Sequence, residues 1–292
     1  MKGEMLVASE KIRFIKNTFP ELKIESVNMN SQGWDNNILI INDAIVFRFP
    51  KNKAIADRVK SEAVLLRQLR QQKPMLQIPD YRLLSDGNDD ITCVYYDYIT
   101  GASFKDGPAS DHNAALLGDF LTKLHHLDPD HSQLETYHTY GYWHELYESV
   151  VKEVFPYLGS SEQCKISDVF SHFLNDIPSL TFPQTIIHGD LTTSNILCDN
   201  GKVNGIIDFT DAQIGDPAFD FAGFYWHFGP DFTKKVLYFY DGIESKDAIY
   251  HRAKAFYGAQ PAFHEWLHAV RNESGADWNA ALSRFTKLMS YN

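Results

Sequence analysis

The stretch TIIHGDLTTSNILCDNGKVNGIID, residues 185–208, constrains this chain more than any other. It sets three short apolar runs, TII, NILC and VNGII, inside a half that otherwise reads as helical. Asp199, Asn200 and Gly201 separate the last two runs, and that composition predicts a tight β-hairpin. A hairpin there brings Asn195, at the start of one strand, to the same end as Asp208, at the close of the other. Asp190 lies five residues before Asn195. The local fold is therefore expected to gather two carboxylates and an amide oxygen at one place.

The surrounding pattern divides in two. Between Ile24 and Phe49 the apolar runs ILII and AIVFRF alternate with turn residues, which predicts antiparallel strands with a hairpin at Asn42 and Asp43. In RVKSEAVLLRQL the residues Val59, Ala63, Leu66 and Leu69 recur at helical spacing, and Pro74 closes the segment. The strand ITCVYYDYI and a break at Gly101 follow. Beyond Asp111 helices are expected over 112–127, 139–157 and 162–175, with several more from 217 onward. The fold class is α+β: an N-terminal antiparallel β lobe with one helix, residues 1–100, and a larger, mostly helical C-terminal lobe, residues 101–292.

Composition excludes several functions. The formal net charge is −11 with no basic block, which argues against nucleic acid or an anionic membrane as partner. There is no run of about 18 apolar residues. The opening MKGEMLVASEKIRF lacks the basic-then-apolar order of a secretory signal, so a cytoplasmic location is expected. Cys93, Cys164 and Cys198 have no metal or redox spacing.

Phosphoryl transfer asks a protein for few groups: a carboxylate at the nucleophile, oxygen ligands for Mg²⁺, a cation on the nucleotide phosphates and a loop over them. H-G-D-x-x-x-x-N followed by I-I-D supplies the first two, with Asp190 at the attacking hydroxyl and Asn195 and Asp208 on the metal. His188 is expected to hold the loop through hydrogen bonds.

The same segment resembles the H-R-D-x-x-x-x-N and D-F-G elements of protein kinases. With Gly189 in place of the Arg, and with IGDPAFDFAG at 214–223, it resembles the aminoglycoside phosphotransferase family. That resemblance implies a protein-kinase-like two-lobe fold, Mg²⁺, ATP or GTP as phosphoryl donor, and an antibiotic hydroxyl as acceptor. In IVFRFPKNK it puts Arg48 on the nucleotide phosphates, with Lys51 as the alternative, and Glu62 as the partner of that cation. Glu62 lies on the apolar face of its helix, where an inward carboxylate requires a cation in any case. SQGWDNN would cover the phosphates through Ser31 and Gly33. Tyr96 and the backbone of Asp97 and Ile99 would meet the base.

An aminoglycoside is the first acceptor the resemblance implies, with Asp211 aligned to an acidic substrate contact; Trp226, Asp231, Tyr250 and Glu265 are further candidate acceptor residues, and the aromatic run around Trp226, where the family places acidic residues, would suit a larger, less charged molecule. GDPAFDFAG followed by HFG also resembles macrolide 2′-phosphotransferases, which makes a macrolide, or another small-molecule alcohol, the alternative. Both antibiotic subgroups usually carry His where this chain has Asn195. A rival motif, HEWLH at 264–268, has the H-E-x-x-H form of a zinc hydrolase, with His264 and His268 as ligands and Glu265 as base. The phosphotransferase set accounts for far more of the chain.

Overall fold

The structure, a computed structural model, describes residues 2–30, 36–85, 91–176, 183–272 and 278–291. It divides into two units, Met1–Arg67 with Ile78–Thr100, and Gln68–Gln77 with Gly101–Asn292.

The first unit holds α1 (Lys2–Thr18), β1 (Val27–Asn30), β2 (Asn36–Ile41), β3 (Ile45–Pro50), most of α2 (Lys53–Gln71), β4 (Arg82–Ser85) and β5 (Ile91–Asp97). The strands form one antiparallel sheet in the order β1-β2-β3-β5-β4. The period-two alternation of β3 sorts its side chains onto two faces. Phe47 and Phe49 join Leu39, Ile41, Cys93 and Ile15 of α1, whereas Val46 packs with Val59 of α2, Val94 and Tyr96. Arg48 shares the Val46 face, and so meets α2. Asn42 and Asp43 turn the β2–β3 hairpin with positive φ, 56° and 49°. The Asn42 side chain fixes that turn by accepting from the Glu25 and Ser26 amides and donating to the Lys23 carbonyl.

One helix was expected in this unit and two are present. In α1 the residues Ile12 and Ile15 stand three apart, and Phe19 follows four later; all three pack against the same sheet face. That stripe is too short to stand out among the charged residues of SEKIRFIKNTF. Strand β4 was likewise not expected, because its solvent side is largely exposed and its apolar run is only two residues long.

The second unit carries β6 (Ala102–Ser103), α3 (Asp111–His125), α4 (Tyr140–Ser149), α5 (Ser160–Asp176), β7 (Thr185–Ile187), β8 (Ile196–Asp199), β9 (Lys202–Ile206), β10 (Gln213–Gly215), α6 (Ala222–Phe228), α7 (Pro230–Phe239), α8 (Lys246–Arg252), α9 (Gln260–Asn272) and α10 (Trp278–Met289). The β segments form two small antiparallel sheets, β6-β8-β9 and β7-β10. The β8–β9 hairpin turns at Asn200 and Gly201, both with positive φ (48° and 77°), as a two-residue type I′ turn requires. Buried Asn113 ties α3 to this turn, donating to the Gly201 carbonyl and accepting from Val203 N–H. The helices enclose an aromatic core in which Trp143, Phe170, Phe173, Phe256, Phe263 and Trp266 are in mutual ring contact. Among the described residues no helix is long and apolar enough to cross a membrane.

Candidate active site

The loop between β7 and β8 is held from beneath by buried groups. His188 is fully buried, and its ring Nδ1 accepts the Asp190 N–H at 3.3 Å. That contact assigns the proton to Nε2, which donates to the Ile207 carbonyl at 3.1 Å. Gly189 has φ 79°, and a Cβ there would lie 2.1 Å from the Asp211 carbonyl oxygen. Gly189→Ala therefore meets both a left-handed backbone and a rigid main-chain clash. It is expected to cost about 2 kcal/mol or more in chemical denaturation.

Asp220 accepts three hydrogen bonds on this underside: from His188 N–H at 2.7 Å, Gly189 N–H at 3.0 Å and His125 Nε2 at 3.1 Å. Tyr240 hydroxyl meets the other nitrogen of His125 at 2.8 Å. Burial alone would push the Asp220 carboxyl up, but the bonds from His125 and His188 hold it below the usual carboxylate range.

Above that support, Asn195 Nδ2 donates to both the Asp190 carbonyl (2.9 Å) and Asp190 Oδ2 (2.7 Å). This orientation turns the Asn195 amide oxygen away from Asp190. The Ile207 amide donates to the Asn195 carbonyl, so the loop and the end of the hairpin are joined one residue before Asp208. Asp208 adopts φ 62°, an uncommon conformation for a residue with a side chain, and accepts a hydrogen bond from Thr210 at 2.8 Å. Burial raises the Asp190 carboxyl to about 6; the charges of Asp211 and Asp208 add to the rise, while His188 and Asn195 oppose it. An amide oxygen and a carboxylate form an all-oxygen donor set that suits Mg²⁺, which keeps waters and phosphate oxygens in its remaining positions.

Three residues of the motif GDPAFDFAG, Asp216, Asp220 and Gly223, hold this region together. Asp216 caps the turn at Ala218 N–H and receives a two-pronged contact from Arg252 at 2.7 and 2.8 Å, and Arg252 also binds Glu244. Asp220 pins the loop. Gly223 allows α6 to touch it, since a Cβ there would sit 2.3 Å from the Leu191 carbonyl oxygen.

In the first unit Arg48 and Glu62, each about 3% exposed, pair at 3.1 Å. Tyr81 completes the group: Arg48 Nη1 donates to its hydroxyl, which in turn donates to Glu62 Oε1 at 2.6 Å. Burial drives the Tyr81 hydroxyl far above its ordinary range, so it stays protonated as a donor. Tyr81→Phe is expected to destabilise the protein by about 1–2 kcal/mol, read by urea denaturation, because Glu62 loses a buried donor. Tyr96 is buried and stacks on Tyr81 at 5.3 Å, and Ile99 is buried. The exposed Asp97 carboxylate is taken by Arg82 at 3.2 Å through both oxygens. Lys51 is exposed at the end of β3. Ser31 and Gly33 lie outside the described residues.

The residues expected at the acceptor fall into two groups. The exposed Asp211 belongs with Asp190 and Asp208. Trp226, Asp231 and Tyr250 line a pocket of about 800 Å³ in the second unit, and Glu265 accepts the Trp226 indole N–H at 3.2 Å. The zinc reading finds no support: Glu265 is engaged by Trp226, His264 Nε2 faces Tyr142 hydroxyl at 3.5 Å, and His268 Nδ1 faces Asn272. Among the described residues no group of three His, Cys, Asp or Glu side chains is placed to hold a metal.

Residues 26–274 match the model of the phosphotransferase enzyme family. The chain belongs to that family. The chain is similar to the uncharacterized protein YcbJ of Bacillus subtilis (strain 168), 26% identical over 239 residues, covering 74% of this chain and 75% of that protein. Viomycin phosphotransferase of Streptomyces vinaceus is 24% identical over 214 residues, 68% and 73% of the two chains. Among solved structures, the GDP complex of wild-type aminoglycoside 2′-phosphotransferase-IIIa superposes with TM-score 0.79 at 24% identity, covering 97% of this chain and 98% of that one. Macrolide 2′-phosphotransferase MphH from Brachybacterium faecium gives TM-score 0.66 at 18% identity, over 94% and 98%. As a phosphotransferase-family enzyme the chain has the expected α+β, kinase-like fold. Sequence reasoning missed Asp220, Arg252 and Tyr81, whose main partners, His125 and His188, Asp216, and Glu62, are 95 and 32, 36, and 19 residues away in the chain.

Proposed function

We propose that the protein transfers the γ-phosphoryl group of ATP or GTP to a hydroxyl of a small molecule, with Mg²⁺ held by Asn195 and Asp208. The observation that carries this reading is the loop geometry: one Asn195 amide fixes Asp190 Oδ2 while turning its own oxygen outward. Asp190 Oδ1 remains to receive the proton of the acceptor hydroxyl. The acceptor oxygen forms its bond to the γ-phosphorus as the bond to the β,γ-bridging oxygen breaks, and nucleoside diphosphate leaves. Bound Mg²⁺ would neutralise charge on the phosphates during that exchange. Arg48, steadied by Glu62 and Tyr81, would meet the nucleotide phosphates, with Tyr96, Asp97 and Ile99 at the base. GDP in the aminoglycoside 2′-phosphotransferase-IIIa complex supports a purine nucleotide as donor.

Asn195→Ala and Asp208→Ala are each expected to raise the Mg²⁺ concentration needed for half-maximal nucleoside diphosphate release at least tenfold. An unchanged Mg²⁺ dependence in both variants would refute the metal assignment. An aminoglycoside is the acceptor the family resemblance favours, and Asp190, Asp208 and Asp211 suit an ammonium group beside the reacting hydroxyl. The 800 Å³ pocket has the opposite charge.

A further inference from the structure

A second group of polar side chains stands against the catalytic loop from the α4 side, and Asp211 is the link. Its carbonyl oxygen abuts Gly189, and its charge is felt at Asp190. Buried Gln213 joins Asp211 to the chain entering α4. The Gln213 amide nitrogen donates to the Asp211 carbonyl at 3.4 Å, and its amide oxygen accepts from the Tyr137 and His138 N–H groups, each at 3.0 Å. Ile214 N–H donates to the Glu135 carbonyl at 2.9 Å, so the same stretch is also pinned along β10. His138 lies just before α4 and Tyr142 in its first turn, where the Asp211 carboxylate acts on the Tyr142 hydroxyl.

The wall made in this way is aromatic and uncharged. The His138 ring packs on Phe219 at 4.3 Å, Tyr142 at 4.9 Å and Trp143 at 5.0 Å. From α9, His264 turns Nε2 to the Tyr142 hydroxyl at 3.5 Å, the outer limit of a hydrogen bond. Among the described residues neither side chain makes another hydrogen bond. Burial lowers His138 to about 4, lowers His264 and raises the Tyr142 hydroxyl, so all three are neutral at neutral pH. The cation that acts on His264, Arg271, is itself held by Glu153 at 2.7 and 2.8 Å. His138 Nδ1 is buried without a partner, an unmet polar group that packing alone does not explain.

We infer that Tyr142 and His264 are the specificity-determining pair of the acceptor site, and that they select an alcohol with a single ammonium group, set at Asp211 beside the reacting hydroxyl, on an otherwise uncharged body. The inference rests on the phosphotransfer reading for the fate of that alcohol, but recognition itself is testable without turnover. Tyr142 and the His264 ring offer hydrogen bonds to hydroxyl and ether oxygens, while the aromatic faces cover carbon. The further ammonium groups of a polyamine would lose water against side chains that carry no carboxylate, which disfavours them.

The test follows the histidine ring protons of the whole protein by NMR, saturated with Mg²⁺ and ADP, at an ionic strength that screens the overall charge of −11. His138→Gln and His264→Gln assign the two signals. Glucosamine, with one amino group, should shift the His264 signal saturably. N-acetylglucosamine, the same ring without the charge, should bind about fivefold more weakly, the value of a partly exposed ion pair, and Asp211→Asn should remove that difference. Kanamycin, with several amino groups, should bind the wild type less tightly than glucosamine does. His264→Glu and Tyr142→Glu should each raise the kanamycin-to-glucosamine affinity ratio about tenfold. His172→Glu, on the exposed side of α5, should leave that ratio unchanged; circular dichroism checks that the variants fold. A His264 signal unmoved by glucosamine, tighter binding of kanamycin by the wild type, or an unchanged ratio in a folded His264→Glu or Tyr142→Glu protein would overturn the inference. Asp190-dependent release of ADP from ATP, measured separately, judges the phosphotransfer reading.

Discussion

Asp190→Asn is expected to abolish phosphoryl transfer and at the same time to make the metal-free protein more stable at neutral pH. The first effect follows from loss of the proton acceptor, which general-base catalysis values at about 10²–10⁴ in rate. The second follows from burial. The Asp190 carboxyl is raised to about 6 by desolvation and by its acidic neighbours, so its ionised form is disfavoured in the fold. The folded state therefore holds this proton more tightly than the unfolded chain does, and stability falls as pH rises from about 4 to about 6. A shift of about two units corresponds to at most about 3 kcal/mol above pH 7. Asparagine keeps an oxygen to accept from Asn195 Nδ2, so the variant sheds the charge without losing that bond. Denaturation in the presence of EDTA should show the gain at pH 7.5 and its disappearance near pH 4. A variant less stable than wild type at pH 7.5 would contradict the account of the carboxyl's surroundings.

Asp220→Ala is expected to be the most damaging single substitution in the second unit. It strands two buried backbone N–H groups, at His188 and Gly189, and the His125 ring. Breaking such a buried charged network costs about 3–5 kcal/mol. Asparagine is no remedy, because its amide turns a second donor toward donors already there. Since the native carboxyl is held below the ordinary range, its contribution is present at neutral pH and is lost as pH falls through the acid range. The variant should therefore lose most relative to wild type at pH 7, with the difference narrowing in acid. Transfer should fall together with stability, because the Asp190 loop loses its underside.

The parts of this molecule that were legible in sequence share one property: their signal is local. The turn at Asn200 and Gly201, the hairpin at Asn42 and Asp43, and the α2 stripe each lie within one element, where period and turn chemistry act directly. Glu62 was legible because an inward carboxylate on an apolar face demands a cation, and Arg48 answers that demand. Asp216 and Asp220 were visible only as letters of a motif. Their partners, Arg252, His125 and the loop amides, come together only when the chain is folded. The basic pocket was hidden for the same reason. Lys234, Lys254, Arg284 and Lys287 stand on α7, the turn after α8 and α10, and in sequence the three segments lie 20 and 30 residues apart. Trp226, Asp231 and Tyr250 had been placed on the wall of an acceptor site; the charge around them was not foreseen.

The central claim, that Asp190 directs phosphoryl transfer from a nucleotide to an alcohol, is tested most directly by ³¹P NMR. Wild-type protein is incubated with Mg²⁺, ATP or GTP, and in turn with a cationic aminoglycoside (kanamycin), a macrolide and a neutral alcohol (glucose). A phosphate monoester of one alcohol should appear in step with nucleoside diphosphate. Asp190→Ala should still bind the nucleotide yet form neither product. Monoester formation by Asp190→Ala at the wild-type rate would contradict the claim.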